Sequence, residues 1–369
     1  MSSTTGLSRR RIAQPSQSEE NSAPSHTSPT SSTSNLTRPQ HAGTAFEGGG
    51  RVAYDPRDLE GEDEAKKMPK LTLLEEILLL GIKDRAGYLS FWNDNISYAL
   101  RGCIIIELAL RRRIAVVREP ARRRLPLPDR LIEVVDARQT GETILDEALK
   151  MMQSTQDTEK MGAGQWVDLL SGETWNVMKI GFQLKQVRER LAKGLVDKGV
   201  LRTEKRSFVL FDMATHPVAD ATVKASVVNR VKTLLTCRTN AIPDSAYEPG
   251  IDFAASRAAS LACAAYAASV LDNALDAARL GFDEREEAAG RCDDVLAEFA
   301  QWPFGAASNQ GASNRRRAGE GSAPRGKEAV HALLRDVRKE MGEEDGPLAL
   351  HFEVVAAVME VFSRMDSLL

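Results

Sequence analysis

The chain has 369 residues, 42% hydrophobic and 27% charged, with 49 basic against 52 acidic residues for a net charge of −3. That length allows one large domain or two modest ones, with a core that needs neither metal nor disulfide to hold it. The charge balance excludes a globally basic nucleic-acid binder but leaves room for a local basic patch. Cys103, Cys237, Cys263 and Cys292 are far apart. No pair has CxxC spacing, so free thiols are expected rather than a zinc or redox site.

Residues 1–68 are rich in Ser, Thr, Pro, Asn and Gln and show no apolar period. Such a composition cannot bury enough surface to offset its chain entropy, so a disordered tail is expected. Its one distinctive feature is the run Arg9, Arg10 and Arg11. The first residues hold no apolar stretch and residue 2 is serine, so neither a secretory signal nor myristoylation is expected. The uncharged apolar run 258–271 is too short to cross about 30 Å of hydrocarbon. Any membrane contact is therefore expected to be peripheral.

Order is expected from Leu71, where LTLLEEILLLGIKD repeats its apolar residues at helical spacing and Gly81 suits a helix end. A second helix is expected over about 93–112, buried through its apolar middle at Cys103–Ile106. Residues 111–130 carry eight arginines, two acids and three prolines, which reads as an exposed basic loop with a strand at 114–117. ETILDEALKMM and GQWVDLLSGETW each contain a short amphipathic helix. From Gln183 to Lys198 the residues Leu184, Val187, Leu191 and Leu195 form one helical stripe, ended by Gly199. A hairpin follows, with strands expected at 200–203 and 208–211 around a polar turn. Helices are expected at about 221–236, 253–280 and 284–301. After a low-complexity stretch at 305–327 they resume at 328–340 and 349–367. The fold class is mainly α with one β-hairpin.

Catalytic signals are poor. The five histidines have no companion ligands, and HExxH, GxxxxGK[ST] and GxSxG are missing. Adjacent acids such as Glu75–Glu76 and Asp293–Asp294 diverge on a helix. No enzyme activity, metal or cofactor is expected. Binding signals are better. If 183–198 is one helix, Lys185 and Arg188 are three residues apart at the shoulder of its apolar stripe, where they can converge on one anion. Two cations suit a phosphomonoester. Arg101 lies in an otherwise apolar helix, where a cation needs a partner or an outlet. Trp92 stands just before that helix.

These residues resemble the Golgi phosphoprotein 3 family, which includes fungal vacuolar-protein-sorting homologues. The matching stretches are LTLLEEILLLGIKDRAGYLSFWND, LRGCIIIELALR, ILDEALK, WVDLLSGETWN, QVRERLAKGLVDKGVLRTEK, FVLFDMATHPV and EVVAAVMEVF. They cover residues 69–304 and 328–369, one domain interrupted by the 305–327 insertion. The segment 234–252 departs from the pattern. The resemblance implies a helical bundle ringed by amphipathic helices and loops, with a projecting hairpin. It implies a peripheral protein of the cytoplasmic Golgi face, exchanging with cytosol and binding phosphatidylinositol 4-phosphate. It also implies links to COPI coatomer and to cytosolic tails of Golgi glycosyltransferases, for retention and retrograde sorting. The headgroup residues carry over to Trp92, Arg101, Lys185 and Arg188, and the coat-binding cluster to Arg9, Arg10 and Arg11. The element of self-association or membrane contact carries over to Val200, Leu201, Phe208, Val209, Leu210 and Phe211, with a homo-oligomer expected. The competing reading is a winged-helix nucleic-acid binder, with 183–198 as recognition helix and Arg202, Lys205 and Arg206 on the wing. The net charge speaks against it, and no nucleic-acid partner is expected.

Overall fold

A computed structural model describes residues 67–89, 95–208, 211–306, 327–344 and 346–365. Among them are eleven α-helices and two small antiparallel sheets. The tail with Arg9, Arg10 and Arg11, and nearly all of the stretch 305–327, lie outside the described residues.

Helix α1 (Leu73–Gly81) opens on a capping box: Thr72 accepts from the Glu75 amide, and the Glu75 carboxylate accepts from the Thr72 amide at 2.9 Å. Gly81 is its last helical residue rather than the cap. Helix α2 (Asn95–Leu110) is the axis of the fold and is buried on every side from Ala99 to Leu110, as its apolar run demands. It packs on α1, on α4 (Ala163–Ser171), on α7 (Ala254–Ala267) and most extensively on α11 (Ala349–Met365). The last contact depends on Gly102. A Cβ there would lie 2.4 Å from the Phe362 ring and 3.0 Å from Val358. Gly102→Ala is therefore expected to lower unfolding stability, as read from the urea midpoint. Overpacking costs about 3 kcal/mol at its upper end and exceeds the roughly 1 kcal/mol gained in helix propensity.

The arginine-rich segment is only in part the exposed loop that its charge suggests: Arg112, Arg118, Arg123 and Arg124 are exposed, and the other four arginines are not. Strand β1 (Ile114–Val116) pairs with β2 (Ile132–Val134), a partner that the sequence pattern did not signal. Arg111, Arg113 and Arg130 are buried. Arg111 binds Glu107 at 2.8 Å, Arg113 binds Asp136, and Arg122 and Arg130 both donate to Glu353 of α11, at 3.1 and 2.6 Å. These four cations are held by acids, Arg111 by its helix neighbour Glu107 and the others by acids farther along the chain, so they are not available to a surface ligand.

Helix α3 (Thr143–Thr155) and α4 fall where expected. The next helix, α5 (Val187–Asp197), starts four residues later than the apolar stripe predicts, because Gln186 adopts a left-handed backbone with φ 52°. The stripe itself is right: Leu184, Val187, Leu191 and Leu195 are all buried, Leu184 from the loop before the helix. The hairpin is shifted in the same way. Strand β3 (Glu204–Phe208) pairs with β4 (Phe211–Thr215), so the expected polar turn is a strand, and the ladder runs on to Thr215, past the expected second strand. Val200 and Leu201 lie in the core at the hairpin's foot, with Leu201 bridging to Val218. The two strands pack mainly on each other, which leaves the hairpin projecting.

Helix α6 (Ala221–Thr236) follows. The expected helix over 253–280 is two: α7 and α8 (Leu271–Ala277) meet at a bend of 108°. Ser269, left-handed at φ 54°, closes α7 by donating to Tyr266. No single described helix is long and apolar enough to cross a membrane. The bent pair passes on composition, but α7 is almost wholly buried inside the protein. Helices α9 (Phe282–Phe299), α10 (Lys327–Met341) and α11 complete the bundle around α2.

Candidate functional site

Arg101 projects from the first half of α2 into the seam between α4 and the loop before α5. It is 7% exposed. Its guanidinium donates to three backbone carbonyls: Ser97 at 2.8 Å one turn back, Leu184 at 2.8 Å, and Leu170 at 3.3 Å in the last turn of α4. A helix end presents such carbonyls without intrahelical partners, and a cation there also meets the negative end of the helix dipole. This is the outlet that the apolar setting of Arg101 calls for.

The partners of Arg101 are neutral, and that sets it apart. The other buried cations each reach a carboxylate: Arg111 and Arg257 meet Glu107, Arg113 meets Asp136, Arg130 meets Glu353, Arg291 meets Glu287, Lys198 meets Glu75 and Lys224 meets Asp84. Among the described residues Arg101 is the buried cation that meets none. Burial and the positive charge of Arg188 lower its pKa to about 10, against an opposing pull from Glu189. It remains charged at neutral pH, beside a like charge. Arg188 is half-buried at the start of α5 and Lys185 is exposed in the loop before it. Neither makes an ion pair or hydrogen bond among the described residues. The two do not share one helical face as the spacing implied, since Gln186 turns the chain between them. Arg188 and Arg101 are brought together electrostatically, with Lys185 directly beyond the Leu184 carbonyl that Arg101 holds.

One turn earlier on α2, the Tyr98 hydroxyl donates to Asp168 at 2.6 Å. Burial and that hydrogen bond push the Tyr98 pKa upward, so the phenol stays neutral. Trp92 falls in 90–94, outside the described residues, as do Val209 and Leu210. Phe208 and Phe211 form the last rung of the hairpin ladder, so FVLF marks its far end. Val200 and Leu201, buried below it, leave the expected contact surface. Two of the three wing cations are engaged within the protein: Arg202 pairs with Glu204 at 2.7 Å, and Arg206 donates to the Arg85 carbonyl.

Sequence reasoning missed one surface feature. Beyond α4 the residues Trp175, Val177, Met178 and Ile180 are exposed together. The signal was the apolar content of WNVMKIGF, which fits no buried stripe.

Within a mainly helical scaffold, the seam between α4 and α5 thus holds Arg101, Lys185 and Arg188 without a carboxylate partner among the described residues. Residues 73–341 match the Golgi phosphoprotein 3 (GPP34) family. The chain is 48% identical over 367 residues to vacuolar protein sorting-associated protein 74 of Schizosaccharomyces pombe, covering 99% of each. It is 47% identical over 322 residues to the protein of that name from Eremothecium gossypii, covering 86% of this chain and 90% of the relative. The chain belongs to the Golgi phosphoprotein 3 family.

Proposed function

We propose that this protein is a peripheral sorting adaptor of the cytoplasmic Golgi face that binds phosphatidylinositol 4-phosphate. It links cytosolic tails of glycosyltransferases to COPI coatomer, acts as a homo-oligomer and has no catalytic role. The observation that carries the lipid reading is that, among the described residues, Arg101 meets no carboxylate and Arg188 and Lys185 beside it make no ion pair. A phosphomonoester of charge about −1.5 to −2 supplies the missing compensation through charge-assisted hydrogen bonds. Trp92 borders the inositol ring in this reading, Arg9–Arg11 engage the coat, and the hairpin end 208–211 contacts membrane or a second copy. The domain runs over 69–304 and 328–369, with the tail 1–68 and the insertion 305–327 outside it. The Golgi and sorting descriptions carried by the family and its relatives agree with this role.

Flotation with vesicles containing different phosphoinositides tests it. The double variant Lys185→Ala/Arg188→Ala is expected to lose roughly tenfold or more in binding to phosphatidylinositol 4-phosphate, at about 1 kcal/mol per cation. Its melting temperature should stay unchanged, because neither side chain has a partner to lose among the described residues. Equal binding to all anionic lipids by wild type and variant would overturn the headgroup assignment.

A further inference from the structure

Residues 172–183 form a loop that is closed tightly at its base. The Leu184 amide donates to the Leu170 carbonyl at 3.1 Å, and the Gln183 side-chain amide to the Ser171 carbonyl at 3.4 Å. Gly172, left-handed at φ +87°, lets Gln183 close over it: a Cβ there would stand 2.3 Å from the Gln183 amide nitrogen. Arg101 completes the closure, because its guanidinium binds the Leu170 and Leu184 carbonyls on the two sides of the base. One flank is also held: Phe182 packs edge-on against Trp166 at 5.9 Å, and Lys179 pairs with Glu159 at 2.8 Å.

The other flank faces water. Trp175 is fully exposed, Met178 is 88% exposed, Val177 is 76% and Ile180 is 50%. Elsewhere the large exposed apolar side chains are scattered, at Tyr88, Leu125, Leu131, Val135 and Phe282. Scattered ones need no explanation, whereas four within six residues on a pinned loop mark a contact surface. We infer that the 172–183 loop is a bilayer-inserting element, which sinks Trp175, Val177, Met178 and Ile180 into the interfacial region of an anionic membrane. The inference rests on the phosphoinositide reading and deepens it.

Two observations choose a membrane as the occupant. The first is charge: the chain leaves the loop directly into Lys185 and Arg188, which have no ion pair or hydrogen-bond partner among the described residues. Within 172–188 the acid is Glu173, whose carboxyl is raised by partial burial and by Asp168. An apolar tip followed by free cations complements acyl chains beneath anionic headgroups. The second is continuity: Arg101 belongs both to the cation cluster and to the loop base, so a headgroup held there places the loop at the bilayer. A tryptophan at the tip suits the membrane interface.

The test compares full-length wild type, Trp175→Ser/Met178→Ser and the conservative Trp175→Phe/Met178→Leu. Each is assayed on phosphatidylcholine vesicles containing phosphatidylinositol 4-phosphate, and by calorimetry with the soluble, acyl-free headgroup. The serine variant is expected to lose roughly tenfold or more in vesicle partitioning, since two large apolar side chains no longer leave water for the bilayer interface. Its binding to the soluble headgroup should match wild type, and the conservative variant should recover most of the partitioning. Vesicle partitioning unchanged in the serine variant overturns the inference and leaves the headgroup site standing. Wild type that binds neither vesicles nor soluble headgroup overturns both. A serine variant that changes sedimentation but not lipid binding assigns the loop to a second copy of the chain and likewise overturns the inference.

Discussion

Replacing Arg101 by alanine is expected to cost lipid binding and stability together, unlike any change at Lys185 or Arg188. In the proposed function the guanidinium meets the headgroup phosphate, and hydrogen bonds involving a charged group contribute about 1.5–3 kcal/mol each. That corresponds to a loss of roughly ten- to a hundredfold in affinity. The same side chain satisfies carbonyls of Ser97, Leu170 and Leu184. Leaving such buried acceptors unpaired costs about 1–3 kcal/mol, so the melting temperature should fall as well. Arg101→Lys keeps the charge but cannot span two carbonyls with one compact ammonium. It is expected to hold more binding than alanine while losing much of the stability. Thermal melts beside vesicle flotation separate the two effects. Full vesicle binding by a folded Arg101→Ala protein would remove Arg101 from the headgroup site.

That dual role was only half legible in the sequence. An arginine inside an apolar helix announces a need for an outlet, and Arg101 has one. The identity of the outlet was hidden, because backbone carbonyls at Leu170 and Leu184 carry no residue-type signal. Periodicity located the helices well where they are long and apolar, as in α2 and α11. It failed at two places for one reason. The breaks at Gln186 and Ser269 depend on a left-handed backbone without a glycine or proline to mark it, and left-handed residues other than glycine are uncommon. So the stripe over 184–195 was correct as a buried face but wrong as one continuous helix. The arginine-rich segment misled for a different reason. Composition showed eight cations. Four of them are taken up by acids: Arg111 by Glu107 one turn back on α2, and Arg113, Arg122 and Arg130 by Asp136 and Glu353, which tertiary packing brings in. In this chain a basic run is informative only after its acids have been found, and among the described residues around the α4–α5 seam Arg101, Lys185 and Arg188 pair with none.

Glu107 provides the largest expected stability effect. It is fully buried in α2 and accepts from Arg111 at 2.8 Å, from Arg257 of α7 at 3.0 Å, and from the Leu73 amide at 3.2 Å in the first turn of α1. One carboxylate thus ties three helices and satisfies a helix-end donor. Glu107→Ala leaves two buried arginines without their shared acid and is expected to cost about 3–5 kcal/mol, a large share of a typical total of about 5–15 kcal/mol. Glu107→Leu/Arg257→Leu should be less damaged than Glu107→Leu alone, since it removes one of the stranded charges.

The pH dependence distinguishes charge from shape. Burial alone raises the Glu107 pKa, but Arg257 and Arg111, with the Arg111 and Leu73 hydrogen bonds, hold it at about 2 against the usual 4.5. The unfolded chain therefore binds the proton more readily. The contribution, about 3 kcal/mol, is complete above pH 4.5 and disappears as pH falls toward 2. Glu76 and Glu142 run the other way. Burial raises both to about 7, so they withdraw stability as pH climbs from 4.5 to 7. Urea unfolding of wild type and Glu107→Gln across this range should give a gap that is constant above pH 4.5 and narrows below it. A gap that stays constant at every pH would mean that Glu107 acts by packing and not by its charge.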